Sequence, residues 1–210
     1  MKFYNFLFAI IFTLFFVSCG EEMDNIRETA DVVSKMEDTG KEMEKSRTEA
    51  EKRMEKRRAE GDTTAMHYKE LQKFLPDNIN GYEAQEPKGS TQTMGAFSTS
   101  EASRRYNKDG DFIEIKIMDH NMNVGMYSAL TGWAKMNVSK EDDTGYERTF
   151  DPGNEHIVAL EKFKHNGGRA EINYGVGYRF WLTIRGSGLD DTDKLKEVAN
   201  KMPLKKMAKM

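Results

Sequence analysis

The sequence predicts an α+β fold, in which helices cover a mainly antiparallel sheet as an α/β/α sandwich behind a charged helical stalk. One observation is the alternation of apolar and polar residues that marks strands, clearest at Ile113, Ile115 and Ile117. A second is the hairpin length of the turns between such segments, which favours antiparallel pairing. The third is the helical spacing of apolar residues before, between and after the strands, which supplies the covering helices.

The composition limits the classes of protein to consider. The chain has 210 residues, 32% of them charged, with a net charge of −3. A dedicated nucleic-acid binder carries a basic excess on one face, so we expect no nucleic-acid partner. The length suits one globular domain with an extension. Because Cys19 is the only cysteine, an internal disulfide is excluded.

The first residues have the pattern of an export signal. Lys2 precedes a largely apolar run from Phe6 to Val17. That run lies within the ~7–15 residues of a secretory signal and is shorter than the ~20 that span a bilayer. Small residues, Ser18 and Gly20, then flank Cys19. We therefore interpret residues 1–18 as a signal peptide.

The segment Phe16-Val17-Ser18-Cys19 resembles a bacterial lipobox, with phenylalanine where leucine is commoner. The resemblance implies cleavage before Cys19 and its modification with diacylglycerol and a fatty acid such as palmitate. The chain would then be an outer-membrane lipoprotein, since Gly20 differs from the aspartate of inner-membrane retention. The acidic pair Glu21-Glu22 resembles the export signal of Bacteroidota surface lipoproteins, so periplasmic and surface orientations both stay open. The alternative is an ordinary signal peptide or an anchor helix.

Residues 19–60 are predicted to form the charged stalk. From Met23 to Glu60 the segment contains no proline, and Gly40 is its only glycine. Apolar residues recur sparsely, and charges of both signs alternate toward its end, so a lone polar helix or spacer is the preferred interpretation. A coiled coil is the alternative, although Gly40 and Arg47 would fall on its seam.

The folded domain is predicted to span residues 61–205, followed by a basic tail at 206–210. Its expected elements, in order, are a helix capped near Asp62 and ending at Leu75; strands near Gly81–Glu86, Thr93–Ser100, Ala102–Tyr106 and Phe112–Met118; a helix facing inward with Met126, Ala129, Leu130 and Trp133; strands near Tyr146–Phe150, His156–Lys164, Arg169–Tyr174 and Tyr178–Arg185; and a helix ending near Lys201.

This order of elements, with Leu75-Pro76 followed by Gly81-Tyr82, resembles the PsbP-like fold over roughly residues 65–205. Members of that fold are mostly binding or assembly modules. The resemblance therefore implies a partner or ligand more than it implies a reaction.

Patterns that carry known chemistry are weak. The histidines His67, His120, His156 and His165 lack metal-ligand spacing, so we expect no metal site and no cofactor. Residues 107–111 suit a hairpin turn better than a calcium loop, because Phe112 stands where that loop needs glycine. The acidic residues 141–143 are expected in a loop, and no GxSxG elbow occurs, so no catalytic residue is assigned.

The most suggestive feature is an aromatic residue between guanidinium groups. In the last strand, Arg179, Trp181, Thr183 and Arg185 are expected on one face, and Arg179, Trp181 and Arg185 are our candidate ligand-binding residues. Such a surface suits a glycan, a peptide or an anionic ligand. The alternative is that Trp181 packs beneath a helix.

Taken together, these patterns favour a lipid-anchored cell-envelope module that binds a protein or ligand, or assists assembly, without being an enzyme. Its expected partners are the membrane, through the anchor, and an envelope protein or glycan. One alternative is a hydrolase or metal-dependent enzyme with scattered residues, favoured if a cleft joined Asp119, His120 and His156. The other is a purely structural spacer.

Overall fold

The computed structural model describes residues 22–95, 97–121, 123–132 and 137–210. The chain divides into two compact units, Met1–Gly40 and Lys41–Met210. The signal segment, Cys19 and Glu21 lie outside the described residues, as does Trp133. Among the helices described, none combines the length and apolar character needed to cross a bilayer.

Helix α1 runs without interruption from Glu22–Ala59. The part after Lys41, which the sequence assigned to the stalk, belongs to the second compact unit. Ala50 and Arg57 are buried there, and Arg53 donates from Nη1 to the carbonyl oxygen of Ala208 at 3.0 Å. Arginine contacts, rather than an apolar stripe, hold this part of the helix, which explains why periodicity did not reveal the packing.

A nine-stranded sheet follows, and every pairing within it is antiparallel. The strands are β1 (Glu83–Ala84), β2 (Lys88–Met94), β3 (Phe97–Lys108), β4 (Asp111–Asp119), β5 (Ser139–Asp142), β6 (Gly145–Phe150), β7 (Ile157–Lys164), β8 (Arg169–Val176) and β9 (Phe180–Gly186). Their order is β1-β3-β4-β9-β8-β7-β6-β5, with β2 also paired to β3.

One face of the sheet, which we name the core face, is apolar and covered. Three helices pack on this side, namely α2 (Tyr68–Gln72), α4 (Asp193–Asn200) and α5 (Leu204–Met207). Leu71, Leu195 and Met207 from these helices join the strand residues Ile115 and Leu182 in one buried cluster. Met207 and Ala208, expected in a basic tail, are therefore part of the core.

The opposite face, which we name the open face, is polar. A row of alternating charge crosses it on directly opposed strand positions, in the order Arg105, Glu114, Arg185, Glu171, Lys162, Glu147 and Lys140. Opposite charges on neighbouring strands attract one another, and charged side chains favour exposure of this face to solvent. Helices were expected over both faces, but among the helices that the structure describes only α3 is found over this one.

Helix α3 (Val124–Thr131) contacts β8 and β9 where Gly175 stands on the open face. A Cβ at Gly175 would overlap the side chain of Thr131 and lie 2.8 Å from the hydroxyl oxygen of Tyr127. Glycine is therefore what allows the helix to approach the sheet closely.

Several element boundaries differ from those predicted. The strand expected at Thr93–Ser100 is split between β2 and β3, because Gly95 adopts a positive φ of 60° and the chain turns there. The helix expected to end at Leu75 is only the short α2. Glu141 and Asp142, from the expected acidic loop, belong to edge strand β5, whose exposed residues show no alternation of burial. The predicted hairpin turn lies at Asp109 and Gly110.

Candidate binding site

The residues proposed from sequence do not form one surface. Trp181 and Arg185 lie on the open face. Trp181 is half-buried and donates from Nε1 to Oγ1 of Thr183 at 3.0 Å. Arg185 is exposed and pairs with Glu114, with Nη2 and Oε2 at 2.7 Å.

Arg179 is placed differently from its expected position beside Trp181. Gly177 and Tyr178 form the turn between β8 and β9 and have positive φ of 66° and 59°. Strand β9 begins only at Phe180, so the alternation of its side chains does not extend back to Arg179. The guanidinium is only 4% exposed and bonds from Nη2 to Oδ2 of Asp119 at 2.8 Å, on the core side of the sheet. Its Nη1 donates to Oδ2 of Asp62 at 2.6 Å.

Arg57 extends these contacts into a buried ionic cluster, which we define as Arg57, Asp62, Asp119, Asn121 and Arg179. Arg57 donates from Nε to Oδ1 of Asn121 at 2.7 Å and from Nη2 to the carbonyl oxygen of Asn121 at 3.0 Å. Asn121 donates in turn to the carbonyl oxygen of Asp62 at 3.0 Å. These bonds fasten the end of α1 to the end of β4.

The electrostatics agree with a fastening role for the cluster. Burial, together with the nearby charge of Arg179, lowers the pKa of Arg57. Burial also opposes the charge of Arg179, but hydrogen bonds to Asp119 keep the pKa of Arg179 above its usual value. Because partners within the cluster already engage both guanidinium groups, it offers structural support rather than a ligand site.

His120 lies beside this cluster and is buried. Within the described part of the chain, neither ring nitrogen has a hydrogen-bond partner, and burial lowers the pKa of the imidazole. Asp119 and His120 line neither of the clefts described next, whereas His156 lines one of them. Asp119, His120 and His156, whose convergence in one cleft would have favoured an enzyme, therefore do not share either of these clefts.

A cleft of about 510 Å³ opens on the core side between strands β6–β8 and helices α4 and α5, and we name it the α4–α5 cleft. Its apolar walls include Phe150, Ile157, Met202 and Leu204. The ring of Phe150 meets that of Tyr174 edge-on, with centroids 6.0 Å apart. This volume and lining are typical of a small-molecule site.

Three polar groups converge on those walls. Tyr174 is buried, which raises its pKa, and no described residue forms a hydrogen bond with its hydroxyl. Lys196 lies 5.1 Å above the ring of Phe150 and is held by Glu161, with Nζ and Oε2 at 2.7 Å. Lys205 is exposed and has no ion pair among the described residues. The cleft thus combines an apolar interior with a protonated phenol and two cations.

Glu161 positions Lys196 from beneath. Its carboxylate is buried and also bonds to Arg148, with Nε and Oε1 at 2.6 Å, and to the hydroxyl of Thr192. Burial would raise the pKa of Glu161, but these hydrogen bonds, led by that from Lys196, hold it below its usual value. Lys196 is therefore fixed at the cleft by a charged partner that water does not reach.

A second cleft, of about 630 Å³, lies between α1, residues 154–156 and residues 208–210; we name it the α1 cleft. Lys52, Lys56 and Lys209 line it together with Glu60 and Glu155. Its lining is charged with both signs and lacks the aromatic walls of the α4–α5 cleft, so it is the weaker candidate for a defined small ligand.

Sequence reasoning missed the α4–α5 cleft because its residues come from distant segments. Phe150, Tyr174 and Lys196 are brought together by the pairing of β6, β7 and β8 and by the return of α4 across the sheet. The only local signal was the concentration of lysines after residue 193. No group of three metal-ligating side chains was found among the described residues.

Comparisons with known protein families, with curated proteins and with solved structures gave no significant match to this chain.

Proposed function

We propose that this chain is a lipid-anchored binding module of the bacterial cell envelope, which takes a small amphiphilic anion in the α4–α5 cleft. The anchor part of the proposal depends on the lipobox-like residues that end at Cys19. The binding part depends on one observation: a buried phenol and two lysines face a cleft whose walls are aromatic and aliphatic.

The chemistry of the cleft selects the class of ligand. Phe150, Ile157, Met202 and Leu204 favour a hydrocarbon chain or ring, because contact with it removes apolar surface from water. The hydroxyl of Tyr174 stays protonated at neutral pH and donates a hydrogen bond to a carboxylate or phosphate oxygen. Lys196 and Lys205 add positive charge at the same place.

A binding measurement tests the cleft. We expect decanoate to bind the protein, and the uncharged analogue decanol to bind more weakly, in isothermal titration calorimetry. Tyr174→Phe removes only the hydroxyl, and Lys205→Ala removes the cation together with its alkyl stem. Each substitution should weaken decanoate binding about tenfold, because a lost hydrogen bond or contact to a charged group costs about 1.4 kcal/mol of binding free energy.

Lys209→Ala provides the matched control, because Lys209 carries the same charge on the same C-terminal segment but lines the α1 cleft. It should leave the affinity for decanoate unchanged. If Lys209→Ala weakens binding as much as Lys205→Ala does, the attraction is general to the basic segment and the assignment to the α4–α5 cleft is wrong.

The anchor needs a separate test. Cells expressing the chain and supplied with an alkyne-bearing fatty acid should label the wild type and leave Cys19→Ser unlabelled. Equal labelling of both would contradict acylation of Cys19, whatever the cleft binds.

A further inference from the structure

The hairpin formed by β2 and β3 is chemically unlike the rest of the molecule. No charged residue occurs from Gly89 to Ser100, although 32% of the whole chain is charged. At the end of this hairpin Met94 and Phe97 stand directly opposite each other. They are 79% and 68% exposed, the largest values among the exposed apolar side chains of the described residues. We name Met94, Gly95 and Phe97 the hairpin tip.

The hairpin tip extends beyond the sheet. Strand β4 ends at Asp119, which pairs with Ser100 of β3, so the residues of β3 before Ser100 pair with β2 alone. At about 3.3 Å per residue this overhang is roughly 10 Å long. Arg57 of α1 is fastened to Asn121 at this same end of the sheet. The tip therefore projects from the same end of the sheet as the contact between Arg57 and Asn121.

The size of the hairpin tip decides what kind of partner it fits. A stable protein–protein interface buries about 800 Å² on each partner. One phenylalanine and one methionine offer only roughly 300–400 Å². A bilayer needs no complementary shape and takes up single apolar side chains. Since residues 89–100 carry no charge, the tip enters the bilayer interface without desolvating one.

We propose that the hairpin tip inserts Met94 and Phe97 into the interface of a lipid bilayer. The inference rests on the proposed lipid anchor, which holds the chain at a membrane, and adds a second contact to it. Because the proposed anchor already holds the chain at the bilayer, the hairpin tip meets the lipid at high effective concentration, and even a weak second contact forms. Because residues 89–100 carry no charge, insertion of the hairpin tip does not require anionic lipid and is insensitive to salt.

A fluorescent label at the hairpin tip tests the insertion. The full chain carrying Met94→Cys, purified from membranes, is labelled with an environment-sensitive dye and reconstituted in phosphatidylcholine vesicles that contain spin-labelled lipid. Asn166→Cys is the matched control, since Asn166 is exposed in the turn between β7 and β8, at the opposite end of the strands. We expect a blue shift and severalfold stronger quenching at position 94 than at position 166, unchanged by added salt.

The outcomes separate this inference from the anchor. Labelling of the wild-type chain would mean that Cys19 carries a free thiol, which overturns the anchor alone. Equal quenching at positions 94 and 166 overturns the insertion, as does quenching at position 94 that survives Phe97→Asp. A blue shift without vesicles that grows with protein concentration also overturns it, because the hairpin tip would then contact a second copy.

Discussion

Two arginine–carboxylate contacts on opposite sides of the sheet have nearly the same length. Arg179 lies 2.8 Å from Asp119 in the buried ionic cluster, and Arg185 lies 2.7 Å from Glu114 on the open face. Arg179 and Asp119 are buried, whereas the side chain of Arg185 is 56% exposed. Burial, rather than distance, decides what each contact contributes, because water and salt screen the exposed pair while a buried charge that loses its partner stays uncompensated.

The largest effect is expected from breaking the buried pair. Arg179→Met leaves the carboxylate of Asp119 buried without its guanidinium partner and should lower the free energy of unfolding by about 3–5 kcal/mol. Urea denaturation measures this loss. The double variant Arg179→Met, Asp119→Leu removes the buried charge but should recover only part of the loss, because Asp119 also accepts from the backbone N–H groups of Met66 and Asn121. A single-variant loss below about 1 kcal/mol would mean that water reaches the cluster.

The covered corner of the open face provides the next largest effect. Gly175→Ala places a methyl group against Thr131 and Tyr127 of α3 and should lower the free energy of unfolding by about 1–3 kcal/mol, the usual cost of overpacking. Adding Thr131→Ser removes the clashing methyl while the hydroxyl keeps its bond to the carbonyl of Tyr127, so part of the stability should return. If Gly175→Ala is neutral in thermal unfolding, α3 does not pack tightly on this face.

His120, buried beside the ionic cluster, predicts a dependence of stability on pH. Burial lowers its pKa, so the unfolded chain takes up a proton at a higher pH than the folded chain does. Stability should therefore be constant above about pH 6.5 and fall as the pH drops below it toward the folded pKa, by up to about 1.4 kcal/mol per pH unit. The pKa of Glu161 is also lowered, so its protonation reduces stability only when the pH falls below the ordinary glutamate pKa of 4.5.

His120→Leu should flatten the profile between about pH 6.5 and 5, as followed by urea denaturation at each pH. At neutral pH it should cost little, because it also removes two ring nitrogens without hydrogen-bond partners. A profile that keeps its slope in the variant would assign the dependence to other groups.

The sheet was the predictable part of the fold. Alternation along β4 and β9 requires only neighbouring residues, so Ile115, Ile117 and Leu182 were correctly placed on one side. The row of charge on the open face could not be predicted, because opposition of Glu114 to Arg185 depends on register between strands far apart in sequence. The coverage of both faces by helices was over-predicted. Helical spacing reveals that a helix has an apolar side, but not which face of a sheet that side contacts.

The buried ionic cluster and the α4–α5 cleft were not predictable for a related reason. Arg57 read as one more charge on a solvated helix, and Asn121 carried no local signal, yet they bond directly. Arg179 was grouped with Trp181 by strand alternation, which the turn at Tyr178 interrupts. Such contacts join residues that lie about 60 positions apart in the chain, and one sequence contains no record of them.

The smallest expected effect is that of Arg185→Ala, and it is the most direct test of the comparison. The pair is exposed, so its loss should lower the free energy of unfolding by only about 0.2–1 kcal/mol. A double-mutant cycle with Glu114→Ala isolates the pair, although Glu171 also stands opposite Arg185 and compensates in part. Since the Debye length falls to about 3 Å at 1 M salt, the coupling should vanish there, while the cost of Arg179→Met should persist. A coupling at Arg185 that is as large as the cost at the buried cluster, and unaffected by salt, would mean that the open face is covered in solution and that burial does not separate the two sides.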